Sequence, residues 1–186
     1  MRTFTKEHLS EILAKHKAWL NNEEGGERAD LSDADLSDAD LSDADLSDAD
    51  LSDADLSDAD LSYSNLSDAD LSYSNLSYSN LSYSNLSYSN LSYSNLSNAN
   101  LRNADLSDAD LRFLHSANGK ELACMNAGKY QVVLSKEKIA IGCKFFTVEE
   151  WKEFDDDKIS KMDDGSLKWW KQWKELVFMF HKNIFG

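Results

Sequence analysis

Ala29-Asp30-Leu31-Ser32-Asp33 begins a run of pentapeptides that continues unbroken to Ala109-Asp110-Leu111-Arg112-Phe113. Leu occupies every fifth position from Leu31 to Leu111, seventeen times in all. Two residues before each Leu stands a small residue: Ala29, Ala34, Ala39 and onward, replaced by Ser at Ser64, Ser74, Ser79, Ser84, Ser89 and Ser94. A period of five fits neither a helix at ~3.6 residues per turn nor a strand that alternates, since either would scatter the leucines over every face. If each pentapeptide makes one short side and a corner, every Leu points to a common axis and the small residue fills the space beside it. Backbone groups then pair with the coil above and below, about 4.8 Å away. A disordered low-complexity tract would have no need to hold this register over seventeen repeats.

These residues carry a family resemblance. The pattern Ala-Asp-Leu-Ser-x resembles the pentapeptide-repeat family, over 85 of the 186 residues. The resemblance implies a β-solenoid, a right-handed quadrilateral β-helix with four pentapeptides per coil. Leu and the small residue lie inside and the other three positions outside. Seventeen repeats then make just over four coils, a rod about 20 Å tall.

Two cassettes make up most of the run, Leu-Ser-Asp-Ala-Asp in eight copies and Leu-Ser-Tyr-Ser-Asn in six. Three positions change together, which marks copied blocks. The Ser of the second cassette faces inward, so its hydroxyl needs a backbone carbonyl, because an unsatisfied buried hydroxyl costs about 1–3 kcal/mol. Positions one coil apart should stack. Tyr73, Tyr93 and Phe113 then form one outward column and Tyr63 with Tyr83 a second on the opposite face, at ring spacings near 4.8 Å.

Charge is as unevenly spread as hydrophobicity. The net formal charge is −15, yet residues 1–28 carry five basic and five acidic side chains and residues 114–186 carry twelve Lys against eleven acids. Residues 29–113 hold eighteen Asp against Arg102 and Arg112, a balance of −16. Such a surface repels phosphate backbones and anionic lipid, so the expectation is a protein partner with a basic surface, with no direct nucleic-acid and no membrane binding. No stretch of eighteen apolar residues and no signal-peptide hydrophobic region occurs, which makes a cytoplasmic location the expectation.

The flanks differ from the run. Leu9, Ile12, Leu13, His16, Trp19 and Leu20 sit at helical spacing behind a Thr5 N-cap, and Gly25-Gly26 ends the segment. Residues 1–28 thus read as a capping helix and linker across the lower mouth of the solenoid, whose open core and strand edges need cover. His16 reads as packing rather than as a ligand. Residues 29–113 form the solenoid and residues 114–186 a small α+β domain. In that domain Tyr130–Leu134 and Ile139–Cys143 suggest a two-stranded hairpin, with Ser135 to Lys138 as its turn. Thr147-Val148-Glu149-Glu150 is a capping box opening a short helix through Trp151 and Phe154. A longer helix follows over 166–182, with a stripe of Leu167, Trp170, Trp173, Val177 and Phe180 widened by Trp169, Leu176 and Met179. The stripe either forms the core of a small ββαα domain or in part joins a second subunit, a homodimer contact through the Trp-rich helix. The segment resembles the tails of phage and bacterial pentapeptide-repeat proteins.

Cys124 and Cys143 lack zinc or redox spacing and read as buried free thiols. No nucleophile-base set, glycine-rich phosphate loop or metal-ligand spacing is visible, and uniform outward carboxylates offer no pair with separated pKa values. The chain reads as no enzyme, with no cofactor and no metal. Asp30 through Asp60 supply thirteen carboxylates over roughly 7 Å of rise, denser than the one charge per ~1.7 Å of duplex DNA. They surround four faces, however, so only about a quarter can meet one partner. Members of MfpA and Qnr type resemble duplex DNA and bind DNA gyrase. That resemblance implies a DNA mimic acting on a DNA-binding enzyme such as gyrase or a phage or host defence factor, and it extends only to the repeat positions. Asp33, Asp38, Asp43, Asp48, Asp53 and Asp58, with Tyr73 and Tyr93, are the expected contact residues. The competing expectation is a scaffold whose Asp ladder serves solubility, with the C-terminal domain mediating assembly.

Overall fold

A computed structural model describes residues 1–112, 114, 122–127, 129–136, 138–142 and 144–186. The chain forms two compact units, Met1–Asn118 and Gly119–Gly186. Phe113, placed by the sequence on top of the Tyr73 column, lies outside the described residues, as do Cys143 and the side chain of Cys124.

The first unit is a solenoid whose repeat is fixed by parallel bridges between residues twenty apart, from Asp30↔Asp50 to Asn90↔Asp110. Four pentapeptides therefore complete a coil. Each repeat with a coil on both sides, from Leu46 to Leu91, accounts for all five of its backbone N–H groups, as burial demands. In the repeat at Leu51, the Leu51 N–H donates to Asp70 O and the Asp53 N–H to Ser72 O, both in the next coil, while the Asp55 N–H donates back to Ala34 O. The Ala54 N–H closes a turn onto Leu51 O. The Ser52 N–H donates to the side chain of Asp50 at 3.1 Å. That fifth bond explains why the residue before each Leu is only ever Asp or Asn: the position must supply a short side-chain acceptor.

The corner residue of each turn, two after Leu, has φ between +54° and +62° from Asp33 to Asp108. This left-handed region is tolerated by Asp and Asn and disfavoured for Tyr. Inside, sixteen of the seventeen repeat leucines are at most 3% exposed, each burial worth about 1.5–3 kcal/mol. The expectation that every Leu is buried fails at Leu106, which is half-buried in the last coil, where no further repeat closes the core above it. Ala39 and Ala44 in the first coil are half-buried for the same reason at the other end. The inward serines meet their requirement: Ser64 Oγ donates to Leu61 O at 2.7 Å and Ser79 Oγ to Leu76 O at 2.8 Å.

Before the solenoid, β1 (Arg2–Thr3) pairs in parallel with β2 (Ala34–Asp35), a short strand addition to the first coil absent from the sequence reading. Helix α1 (Lys6–Leu20) starts at Thr5, whose side chain accepts from the His8 N–H. The chain then turns tightly: a Cβ on Gly26 would lie 2.3 Å from the Trp19 nitrogen, so only glycine fits. His16 is wholly buried, stacked on Trp19 at 5.6 Å, and its Nδ1 accepts from the Ala29 N–H at 3.1 Å. Its Nε2 has no hydrogen-bond partner among the described residues.

The second unit holds a four-stranded antiparallel meander, β3 (Leu122–Ala127), β4 (Tyr130–Ser135), β5 (Lys138–Ile141) and β6 (Lys144–Thr147). The two-stranded hairpin of the sequence reading is thus its centre only. Helix α2 (Val148–Glu153) opens with the Thr147–Glu150 capping box, α3 (Asp156–Ser160) is one short turn, and α4 spans Ser166–Phe185. The core gathers Val132, Leu134, Ile139, Trp151, Trp169, Trp170 and Val177. Phe180, assigned to the inward stripe by its spacing, is instead 38% exposed beside Leu176 and Met179, because Trp169 and Trp170 set the buried face about one residue round the helix. No described helix is long and apolar enough to cross a membrane.

Candidate partner-binding surface

The outward Asp residues are two populations. Asp30, Asp35, Asp40, Asp45, Asp50, Asp55 and Asp60 each accept from the N–H and hydroxyl of the Ser two residues on; the Asp60–Ser62 hydroxyl bond is 2.7 Å. The Ser42 hydroxyl, then its N–H, holds the Asp40 carboxyl below its ordinary range. At Asp55 burial works upward, but the Ser57 hydroxyl and N–H and the Asn75 amide outweigh it. These seven carboxylates build the rod.

 The net result at Asp55 is a lowered carboxyl, as at Asp40.

The corner residues Asp33, Asp38, Asp43, Asp48, Asp53 and Asp58 are different. All six are exposed, and their carboxylates have no hydrogen bond or ion pair among the described residues. They are the carboxylates a partner can reach. The structure does not gather them on one side. Asp33 and Asp53 share a corner column with Tyr73 and Tyr93, Asp38 and Asp58 share a second, and Asp43 and Asp48 stand on the remaining two, following the twenty-residue coil.

Above the acidic coils the second cassette makes a neutral band. Asn65, Asn75, Asn80 and Asn90 donate to Asp45, Asp55, Asp60 and Asp70 one coil below, at 3.0–3.1 Å. The ladder continues from Asn85 to Asn65, Asn95 to Asn75 and Asn100 to Asn80. The Tyr63 and Tyr83 rings stack at 4.9 Å and 1°, and Tyr73 and Tyr93 at 4.7 Å and 2°, the columns and spacing expected from the sequence. Tyr78 and Tyr88, which the sequence reading passed over, have no such partner: the residues one coil away are Asp58 and Asn98 for one, Asp68 and Asp108 for the other. The signal was present in the sequence as the lack of an aromatic residue twenty positions away.

In the second unit, Tyr130 donates its hydroxyl to Asp163, which also pairs with Lys129 at 2.7 Å. Lys129 and then Tyr130 hold the Asp163 carboxyl down at about 2. The neighbouring cavity, lined by Tyr130, Trp151, Trp169 and Trp170, is about 40 Å³. That is room for a few waters and no substrate.

A family model described as Pentapeptide repeats matches in eight copies, over residues 27–62, 49–82, 64–102 and 79–112. No curated protein sequence matches the chain. Among solved structures, HetL, a pentapeptide repeat protein involved in heterocyst differentiation regulation from the cyanobacterium Nostoc sp. strain PCC 7120, is 31% identical with a TM-score of 0.32, over 47% of this chain and 51% of that one. A second pentapeptide repeat protein from Nostoc PCC 7120 is 34% identical with a TM-score of 0.29, over 59% of this chain and 77% of that one. Full-length QnrB1, a plasmid-mediated fluoroquinolone resistance protein, is 21% identical with a TM-score of 0.28, over 50% of this chain and 60% of that one. The chain thus spans less than two thirds of the length of HetL and of QnrB1.

Proposed function

We propose, for a chain that belongs through residues 27–112 to the pentapeptide-repeat family, that it is a non-enzymatic interaction protein whose acidic N-terminal coils bind the basic surface of a protein partner. The observation that carries this reading is the set of six exposed corner carboxylates, Asp33 to Asp58, which no group of the described chain neutralises. Leaving them unpaired raises the self-repulsion of the rod, and a cationic partner relieves it. The family brings with it the right-handed β-helix. Residues 1–28 serve as its cap and residues 114–186 as a separate α+β domain.

The finer form of the reading is mimicry of duplex DNA toward a DNA-binding enzyme, gyrase being the first to try. Added to a gyrase supercoiling reaction, the chain should inhibit at low salt and lose its effect steeply as salt rises. A variant with Asp33, Asp38, Asp43, Asp48, Asp53 and Asp58 all changed to Asn should not inhibit. Inhibition that survives the six substitutions would remove the carboxylates from the contact. No inhibition at any salt would remove gyrase as the enzyme mimicked against.

A second reading is a scaffold assembled through the second unit, favoured by Leu176, Met179 and Phe180, which leave 39%, 52% and 38% of their surfaces exposed on one side of α4. Here the Asp ladder serves solubility and α4 pairs with a second copy. Sedimentation equilibrium tests it: a dimer that dissociates in Phe180→Lys supports this reading, and a monomer at all concentrations ends it.

A further inference from the structure

Six tyrosines occupy corner positions with φ between +59° and +62°, a conformation that Asp and Asn adopt at lower cost. For four of them the protein itself supplies a return, since Tyr63 stacks on Tyr83 and Tyr73 on Tyr93. Tyr78 and Tyr88 have the same strained backbone and no stacked ring, and both are 62% exposed. Their aromatic faces are unused within the described chain. Each stands one coil above an outward carboxylate at the same corner, Tyr78 above Asp58 and Tyr88 above Asp68. The backbone fixes the pairing: the Asp58 N–H donates to Ser77 O and the Asp68 N–H to Ser87 O, the residues just before the two tyrosines.

We infer that Tyr78 with Asp58 and Tyr88 with Asp68 are arginine-reading sites on the solenoid, so that the basic partner is recognised through arginine rather than lysine. A guanidinium is flat and weakly hydrated, so it can lie against a phenol ring while its N–H groups reach a carboxylate about 4.8 Å below. A lysine ammonium is compact and strongly hydrated, so it gains the charge attraction and little from the ring. Asp columns alone attract both cations by charge, with only the bidentate fork favouring arginine. The tyrosine adds the ring contact that widens the difference, and two such sites on opposite corners let a partner be read from either side. The inference rests on the acidic-surface reading above and names the side chain that reading requires of the partner.

The test uses the full chain with octa-arginine and octa-lysine peptides as probes, titrated calorimetrically at fixed moderate salt. The comparison is with a Tyr78→Asn, Tyr88→Asn double variant, which keeps the net charge and suits the left-handed corner. Wild type should bind octa-arginine more tightly than octa-lysine. In the double variant octa-lysine binding should be unchanged and the arginine preference should shrink by roughly two- to fivefold, the value of one exposed cation–π contact. A preference that is absent in wild type, or that persists undiminished in the double variant, overturns the inference and leaves the acidic-surface reading standing. If neither peptide binds, both fall together.

Discussion

Asn80→Asp changes one atom type in the middle of the amide ladder and isolates what the ladder does. The Asn80 amide donates to Asp60 at 3.1 Å, while its oxygen accepts from the Ser82 hydroxyl at 2.8 Å and from the Asn100 amide at 2.9 Å. Aspartate keeps these accepted bonds and the one from the Ser82 N–H at 3.3 Å, and loses only the donated one. The lost bond is worth about 0.5–1.5 kcal/mol. In its place two carboxylates meet one coil apart, about 4.8 Å, repelling by about 1–3 kcal/mol for effective dielectrics between ~80 and ~20. Both side chains are half-buried, so the middle of that range applies and the total loss is about 2–3 kcal/mol. Urea unfolding followed by circular dichroism at 20 and at 500 mM salt measures it, urea being uncharged. The midpoint should fall at low salt and recover in part at high salt, because only the repulsion is screened. A variant as stable as wild type at low salt would mean that the amide ladder carries no stability. A loss of equal size at both salts would mean that repulsion is not the reason Asn stands there.

Three further outcomes follow from the same structure. Leu71→Ala, at a position with no exposure in a middle coil, should cost about 2–5 kcal/mol in chemical denaturation, and Leu106→Ala at the half-open end less than half as much; equal losses would contradict the end-of-core account. Tyr78→Asn should raise the melting temperature slightly, by relief of left-handed strain worth about 0.5 kcal/mol, whereas Tyr73→Asn should lower it because the stack on Tyr93 is worth about 0.5–1.5 kcal/mol. A rise in both variants would show that stacking does not hold the columns. For His16, burial is the largest influence and lowers its pKa below 6.5, with Arg28 acting the same way and the Ser47 backbone, Asp45 and Asp48 offsetting part of it. The unfolded helix then takes up the proton first, so stability contributed by His16 is full above 6.5 and is lost as pH falls below it. Trp19 is one of five tryptophans, so loosening of α1 is read as a change in tryptophan fluorescence between pH 7 and 5 that wild type shows and His16→Gln, whose side chain does not titrate, lacks; equal responses in the two would refute this.

What could be read from the sequence was whatever repeats with a single geometric cause. A Leu every fifth residue admits one arrangement, and the coil spacing then set which tyrosines would stack and how far apart. The inward Ser followed from the cost of a buried hydroxyl. What could not be read was any distinction inside the outward set. Asp30 and Asp33 look alike as letters, yet one bonds Ser32 and the other stands free, because the split depends on which N–H the turn leaves unpaired. The restriction of the position before Leu to Asp and Asn was the available clue. Beyond the repeats the legibility drops. The strand Leu122–Ala127 has no β-branched residue, Lys144–Thr147 reads as the approach to a helix, and α3 at five residues is too short to show a period.

The two cassettes make physical sense as a limit on how much acid the rod can stack. In the column before each Leu, Asp30, Asp50 and Asp70 are followed by Asn90; Asp35 and Asp55 by Asn75; Asp40 and Asp60 by Asn80; and Asp45 by Asn65. The corner columns stop in the same way, at Tyr73, Tyr78, Tyr63 and Tyr88. No column stacks more than three Asp before a neutral residue interrupts it. Each added carboxylate is repelled by all those in its column and nearby, so the cost grows faster than the number of charges, while a partner meeting one face gains from only about a quarter of them. An amide that donates downward converts the uppermost carboxylate of a column from a repelling group into a bonded one, and the stacked tyrosines beside it restore contact area on the same coils. The neutral band is therefore what permits the acidic coils beneath it, and extending the Asp cassette upward would weaken the rod before it improved the surface.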